Sequence, residues 1–212
     1  MAPLTAATQK APTRLGGLSM SVHTLPHLRS GSPAQLVPSG IMAMLIFVVT
    51  EVMLFAGFVS AFTIMRTSAL VWPPPGQPRL PVTETAFNTA LLLASGVALA
   101  VAGWAFRRNP PKARTPLLVA MLLGTAFVLL QGREWLQLLG AGFTLSSSAL
   151  GSFFYLIVGV HALHAVAALG LLAVAWSRLQ RGFLPPGLMG AAQVFWYFVV
   201  GVWPFLYWRI YL

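Results

Sequence analysis

The chain has 212 residues, of which 58% are hydrophobic and only 8% charged, against roughly 25% charged in an ordinary soluble domain, which excludes a water-soluble globule. Thirteen Lys and Arg against three acids give a net charge of +10, yet the basic residues sit in an N-terminal arm and in loops rather than on one helix face among stacking aromatics, so a nucleic-acid binder is excluded as well. With no cysteine there is no disulfide framework, thiolate metal site or cysteine nucleophile.

Residues 1–37 form a polar arm rich in Pro, Gly and Ser, carrying Lys10, Arg14 and Arg29. It lacks the apolar core of a cleaved signal peptide and reads as a cytoplasmic, flexible or surface-hugging segment. Residues 38–212 then form the membrane domain. About 20 mostly apolar residues are needed to cross a bilayer, and five stretches qualify: 39–65, 86–106, 116–139, 150–176 and 188–212. Between them lie breakers such as Trp72-Pro73-Pro74-Pro75 and Asn109-Pro110-Pro111, where proline withholds a helix donor. Lipid cannot satisfy a free backbone, and the alternation of a membrane barrel is missing. The expected fold class is therefore all-α, a polytopic bundle of about five transmembrane helices. Small residues in the second and fourth spans, among them Ser95, Gly96, Gly159, Ala165 and Ala168, would let helices approach closely.

Short basic loops face the cytoplasm. The arm (three), the loop with Arg107, Arg108, Lys112 and Arg114 (four) and the loop with Arg178 and Arg181 (two) place nine cations on one side, against Arg66, Arg79 and Arg209 on the other. This predicts a cytoplasmic N-terminus and an external C-terminus in a bacterial-type inner membrane.

Few polar residues occur inside the spans. Glu51 lies near the middle of the first, in Thr50-Glu51-Val52-Met53. A mid-membrane carboxyl is a functional-site candidate and needs a partner facing the bundle interior; a protonated Glu serving only packing is the plainer reading. His161 and His164, three apart on the fourth span, share a helix face. Two imidazoles could begin a metal site, but the further ligands such a site requires are not visible, since His23 and His27 lie in the arm. The expected role of His164 is instead a hydrogen bond to Glu51 across the bundle. Gln131, Arg133 and Glu134 end the third span; Arg133 and Glu134 are sequence neighbours and do not face each other, so each needs a partner on another helix, another subunit or a lipid. Asn88 and Thr89 are expected to open the second span, as caps or packing contacts. In the aromatic last span, Trp196 and Trp203 face another helix or lipid, and nothing polar nearby could do acid–base chemistry.

Taken in order, Thr50-Glu51 to Phe58, Trp72-Pro73-Pro74, Asn88-Thr89 with Leu92 to Gly96, Leu130-Gln131, Glu134-Trp135, Gly151 to Phe154, Gly159-Val160-His161-Ala162-Leu163-His164, and Phe195-Trp196 with Phe198 and Trp203 resemble subunit III of the haem-copper cytochrome c and quinol oxidases. The resemblance covers residue 36 onward. It departs from the family at Tyr197 and Val200, where a His and an Asp are usual, and the chain corresponds to a short five-helix form that begins at the third of seven family helices. It implies a non-catalytic subunit that binds no haem or copper itself. Those cofactors are expected in partner subunit I, on which this chain would pack beside subunit II and small subunits, holding structural phospholipids and supporting sustained oxygen reduction and proton pumping, with a respiratory supercomplex as a further setting. Two rivals are a related protein associated with nitric oxide reductase and an independent proton-coupled transporter using Glu51; the latter would need more polar lining residues near the midplane.

Overall fold

The computed structural model describes residues 39–70 and 81–211. The N-terminal arm, the loop motif Trp72, Pro73 and Pro74, Arg79 and Leu212 lie outside the described residues. Five long helices follow one another: α1 (Ser39–Ser68), α2 (Val82–Arg108), α3 (Arg114–Gly140), α4 (Ala149–Gln180) and α5 (Pro186–Ile210), with a single 3₁₀ turn at Pro110–Ala113. All five are long and apolar enough to cross a membrane, and no strand occurs among the described residues. The protein is thus an all-α, multi-pass membrane protein.

The helices outrun the apolar stretches at most ends. α2 begins at Val82 instead of residue 86, and α4 runs to Gln180 instead of residue 176. Polar end turns such as Thr83-Glu84-Thr85 can remain helical at the interface, where water completes the backbone. Two stops are built alike. Gly142 and Gly182 take positive φ, 83° and 80°, and the following residue reaches back to close the last turn: Phe143 N–H to Leu138 C=O and Phe183 N–H to Arg178 C=O. This is the left-handed cap for which glycine has no Cβ penalty. α4 restarts on Ser148, whose hydroxyl accepts from the Gly151 N–H at 3.0 Å.

The packing centres on α5, which touches α1, α2 and α4; α2 also packs on α3 and α3 on α4, whereas α1 and α2, consecutive in sequence, do not pack together. α5 buries Phe195, Trp196, Phe198, Val199, Trp203 and Leu206 and continues through Pro204, which membrane helices tolerate. α1 is peripheral. Only Phe55, Val59 and Phe62 are buried on it, while Ile46, Val49 and Met53 face outward.

The stripe of small residues is only half used between helices: Ser95, Gly96, Ala165 and Ala168 are buried, Ala94 and Gly170 exposed. Gly124 of α3 is a tighter example. A Cβ there would stand 2.5 Å from the Trp196 ring and 3.1 Å from Leu169, and the ring is fully buried. Gly124→Ala is expected to destabilise the bundle by about 1–3 kcal/mol through overpacking, whereas Gly170→Ala, with open space around it, should be neutral. Thermal denaturation of the purified protein in its native assembly reads the difference.

Candidate functional site

The polar residues of the interior gather in two clusters joined by a band of aromatic rings. In the first, Glu51 on α1 and His164 on α4 meet across the bundle, Oε2 to Nε2 3.0 Å. The contact is close without the alignment of a directed hydrogen bond at the carboxylate oxygen. His164 Nδ1 lies 2.7 Å from the Val160 carbonyl one turn back, an acceptor only, so that nitrogen carries a proton. The contact gives the mid-membrane carboxyl a polar counterpart on another helix. Phe47, Phe55, Phe195 and Phe198 surround the imidazole, with ring centroids 5.6 to 6.4 Å away.

The second cluster lies toward the opposite end of the helices from the basic loops. Glu134 of α3 is 2% exposed. Tyr211, just past α5, donates to its Oε1 at 3.0 Å, and the Thr85 hydroxyl of α2 is 2.9 Å from Oε2. Gln131 donates to the Tyr211 hydroxyl at 3.3 Å and accepts a long bond from Asn88 at 3.5 Å. The partners of Glu134 thus lie on other elements, whereas Arg133 is exposed. Three elements are knotted together here. Asn88 and Thr89 do not open α2, which starts a turn and a half earlier; both are buried inside it.

Between the clusters, Trp196 donates to Ser95 Oγ at 3.1 Å and Trp203 to Thr89 Oγ1 at 3.0 Å, so both indoles face α2 instead of lipid. His161 is 1% exposed and stacks on Trp203, centroids 4.9 Å apart at 30°. His161 and His164 do not converge on a common point with other ligands: among the described residues no three His, Cys, Asp or Glu could hold a metal ion.

Thr85 and Tyr211 escaped the sequence reading. Thr85 lies just outside the second apolar stretch and Tyr211 at the tail of the last; only the pairing of α2, α3 and α5 brings them to Glu134. Trp72, Pro73 and Pro74 lie outside the described residues.

Glu51 and His164 pinning α1 to α4, buried indoles pinning α5 to α2, and a carboxyl knot at one end define a polytopic membrane subunit whose interior polar groups hold helices together. The sequence profile of cytochrome c oxidase subunit III matches residues 28–212. Among curated proteins, the chain is similar to cytochrome c oxidase subunit 3 of Pelomedusa subrufa (36% identical over 178 residues), Pongo pygmaeus (39% over 181) and Madoqua guentheri (37% over 181), each match covering 79% of this chain and 67% of the relative. The chain belongs to the cytochrome c oxidase subunit III family, and is subunit III of a haem-copper oxidase. The nitric oxide reductase and transporter readings are not favoured.

The contact across the bundle predicts non-additive energetics. His164→Leu leaves the Glu51 carboxyl without a counterpart, so the double variant Glu51→Leu, His164→Leu should be more stable than the sum of the single changes implies. A coupling of about 0.5–3 kcal/mol is expected. Thermal denaturation of the purified assembly carrying each single and the double variant measures it, and strict additivity would exclude an interaction.

Proposed function

We propose that this chain is a non-catalytic subunit of its oxidase, packing directly on subunit I and beside subunit II and the small subunits, and keeping that assembly intact during oxygen reduction and proton pumping. The observation that carries this reading is how the interior polar groups are used. Glu51, His164, Glu134, Gln131 and both buried indoles meet groups on other helices, and no metal-holding cluster occurs among the described residues. Electron transfer and oxygen chemistry then belong to haem and copper held by subunit I. The outward apolar face of α1, with Ile46, Val49 and Met53, supports a chain covered by neighbours in a larger membrane assembly, a respiratory supercomplex included.

Structural phospholipid fits the same role. A cavity of about 820 Å³ at the basic end of the bundle is lined by Arg107 and Arg114 together with Ile41, Phe106, Leu184 and Met189. Guanidinium groups above an apolar wall suit an anionic headgroup with its acyl chain.

Mild-detergent purification of the tagged chain, with haem spectroscopy, metal analysis and oxygen-consumption assay, tests the assignment. Haem, copper and oxygen reduction are expected to co-purify. A complex stripped of this chain should keep its haem and copper content and initial rate but inactivate after fewer turnovers. Loss of haem or copper together with the chain would overturn the non-catalytic role.

The location we propose is a bacterial-type inner membrane, with the arm 1–37 in the cytoplasm and the membrane domain 38–212 ending outside. The excess of cations at the ends of α2 and α4 supports it. Because the chain has no cysteine, single cysteines report topology cleanly. Lys112→Cys should resist a membrane-impermeant thiol reagent added from outside intact cells, and Leu145→Cys should react; the reverse pattern would invert the orientation.

A further inference from the structure

His161 is fully buried, yet the clusters above leave it without a hydrogen bond. Neither ring nitrogen has a partner among the described residues, and the same is true of the buried Trp135 Nε1. Both residues line one largely apolar cavity of about 210 Å³ between α3 and α4, together with Phe127, Gln131, Gly132 and Trp203. Trp203 is held in place by Thr89, and the imidazole stacks on its face at 4.9 Å. The ring is therefore fixed by packing on one side while its nitrogens remain to be satisfied.

The chemistry of the lining restricts what can satisfy them. An indole N–H only donates; an imidazole always has at least one N–H, and in its neutral form one acceptor nitrogen. An occupant meeting both residues must accept from the indole N–H, and to satisfy both ring nitrogens of a neutral His161 it must also be able to donate. Depth restricts it further. Gln131 precedes the end of α3 at Gly140 by nine residues, and His161 follows the start of α4 at Ala149 by twelve, or about 14 and 18 Å at 1.5 Å per residue. Both therefore lie within a hydrocarbon layer about 30 Å thick, toward the end of the bundle away from the basic loops, with Trp135 nearer that interface. An acyl chain arriving there offers neither donor nor acceptor. The cavity exceeds the roughly 30 Å³ of one water.

We propose that this cavity is a buried hydration site, in which ordered water bridges His161 and Trp135 and borders Gln131 of the Glu134 cluster. The water would supply hydrogen bonds that the mostly apolar lining does not offer His161, while His164, in contact with Glu51 of α1, lies one turn further along α4. The inference goes beyond the subunit assignment and does not depend on it.

Cryo-electron microscopy of the intact assembly in lipid nanodiscs, at a resolution that shows ordered water, tests the proposal. Discrete density is expected within about 3.2 Å of Trp135 Nε1 and of a ring nitrogen of His161. Trp135→Phe should lose the density at the indole while keeping that at His161, and His161→Phe should lose the latter while the stack on Trp203 persists. A dry cavity, tubular acyl density, or a protein side chain inserted from elsewhere would overturn it. Should His161→Phe fail to assemble, the unsubstituted protein and Trp135→Phe decide the question alone.

Discussion

Inside a bilayer a polar atom has no bulk water to fall back on, so a side-chain donor or acceptor among these helices needs a partner within the protein or an ordered water enclosed by it. The two indoles of α5 express that constraint most directly. Trp196 and Trp203 are large, fully buried and each carries one N–H; α2 supplies an acceptor for each, Ser95 and Thr89. Once those bonds are made, the register of α5 against α2 is set. Gly124 on α3 must then be small enough to receive the Trp196 ring, and His161 on α4 comes to lie flat on Trp203. One aromatic helix thereby positions three neighbours.

Around this spine the titratable groups work as fasteners. Glu51 and His164 meet across the bundle, which gives a carboxyl among phenylalanines a polar counterpart. At the other cluster, Glu134 gathers Tyr211 and Thr85, joining the tail of α5 to α2 and α3. At the same end of α1, Arg209 donates to Thr63 at 2.9 Å and Arg66 to the Arg209 carbonyl at 3.3 Å. α1, with little buried surface of its own, is thus tied on at both its middle and its end.

A large part of this was legible in the sequence. Five apolar stretches, proline-rich breaks and the isolation of Glu51, His161 and His164 in apolar surroundings follow from the transfer energetics of single segments. The pairing of Glu51 with His164 could be anticipated because a lone carboxyl in lipid needs a partner and few candidates exist. Helix ends were less legible: Asn88 and Thr89 resemble a helix start by composition, yet α2 begins at Val82 because interfacial turns need not be apolar.

By itself the sequence determined that the chain crosses the membrane as helices, with family motifs ordered along them, because hydrophobicity and backbone satisfaction are properties of each segment alone. Only the tertiary structure decided that α5 lies among its neighbours, that its tryptophans bond Ser95 and Thr89, that Tyr211 and Thr85 join Glu134, and that His161 and Trp135 face a common cavity. Lipid is nearly as apolar as the helices themselves, so hydrophobicity says little about which helix packs on which. Close packing and a handful of polar pairs make that choice, and these exist only between segments far apart in the chain.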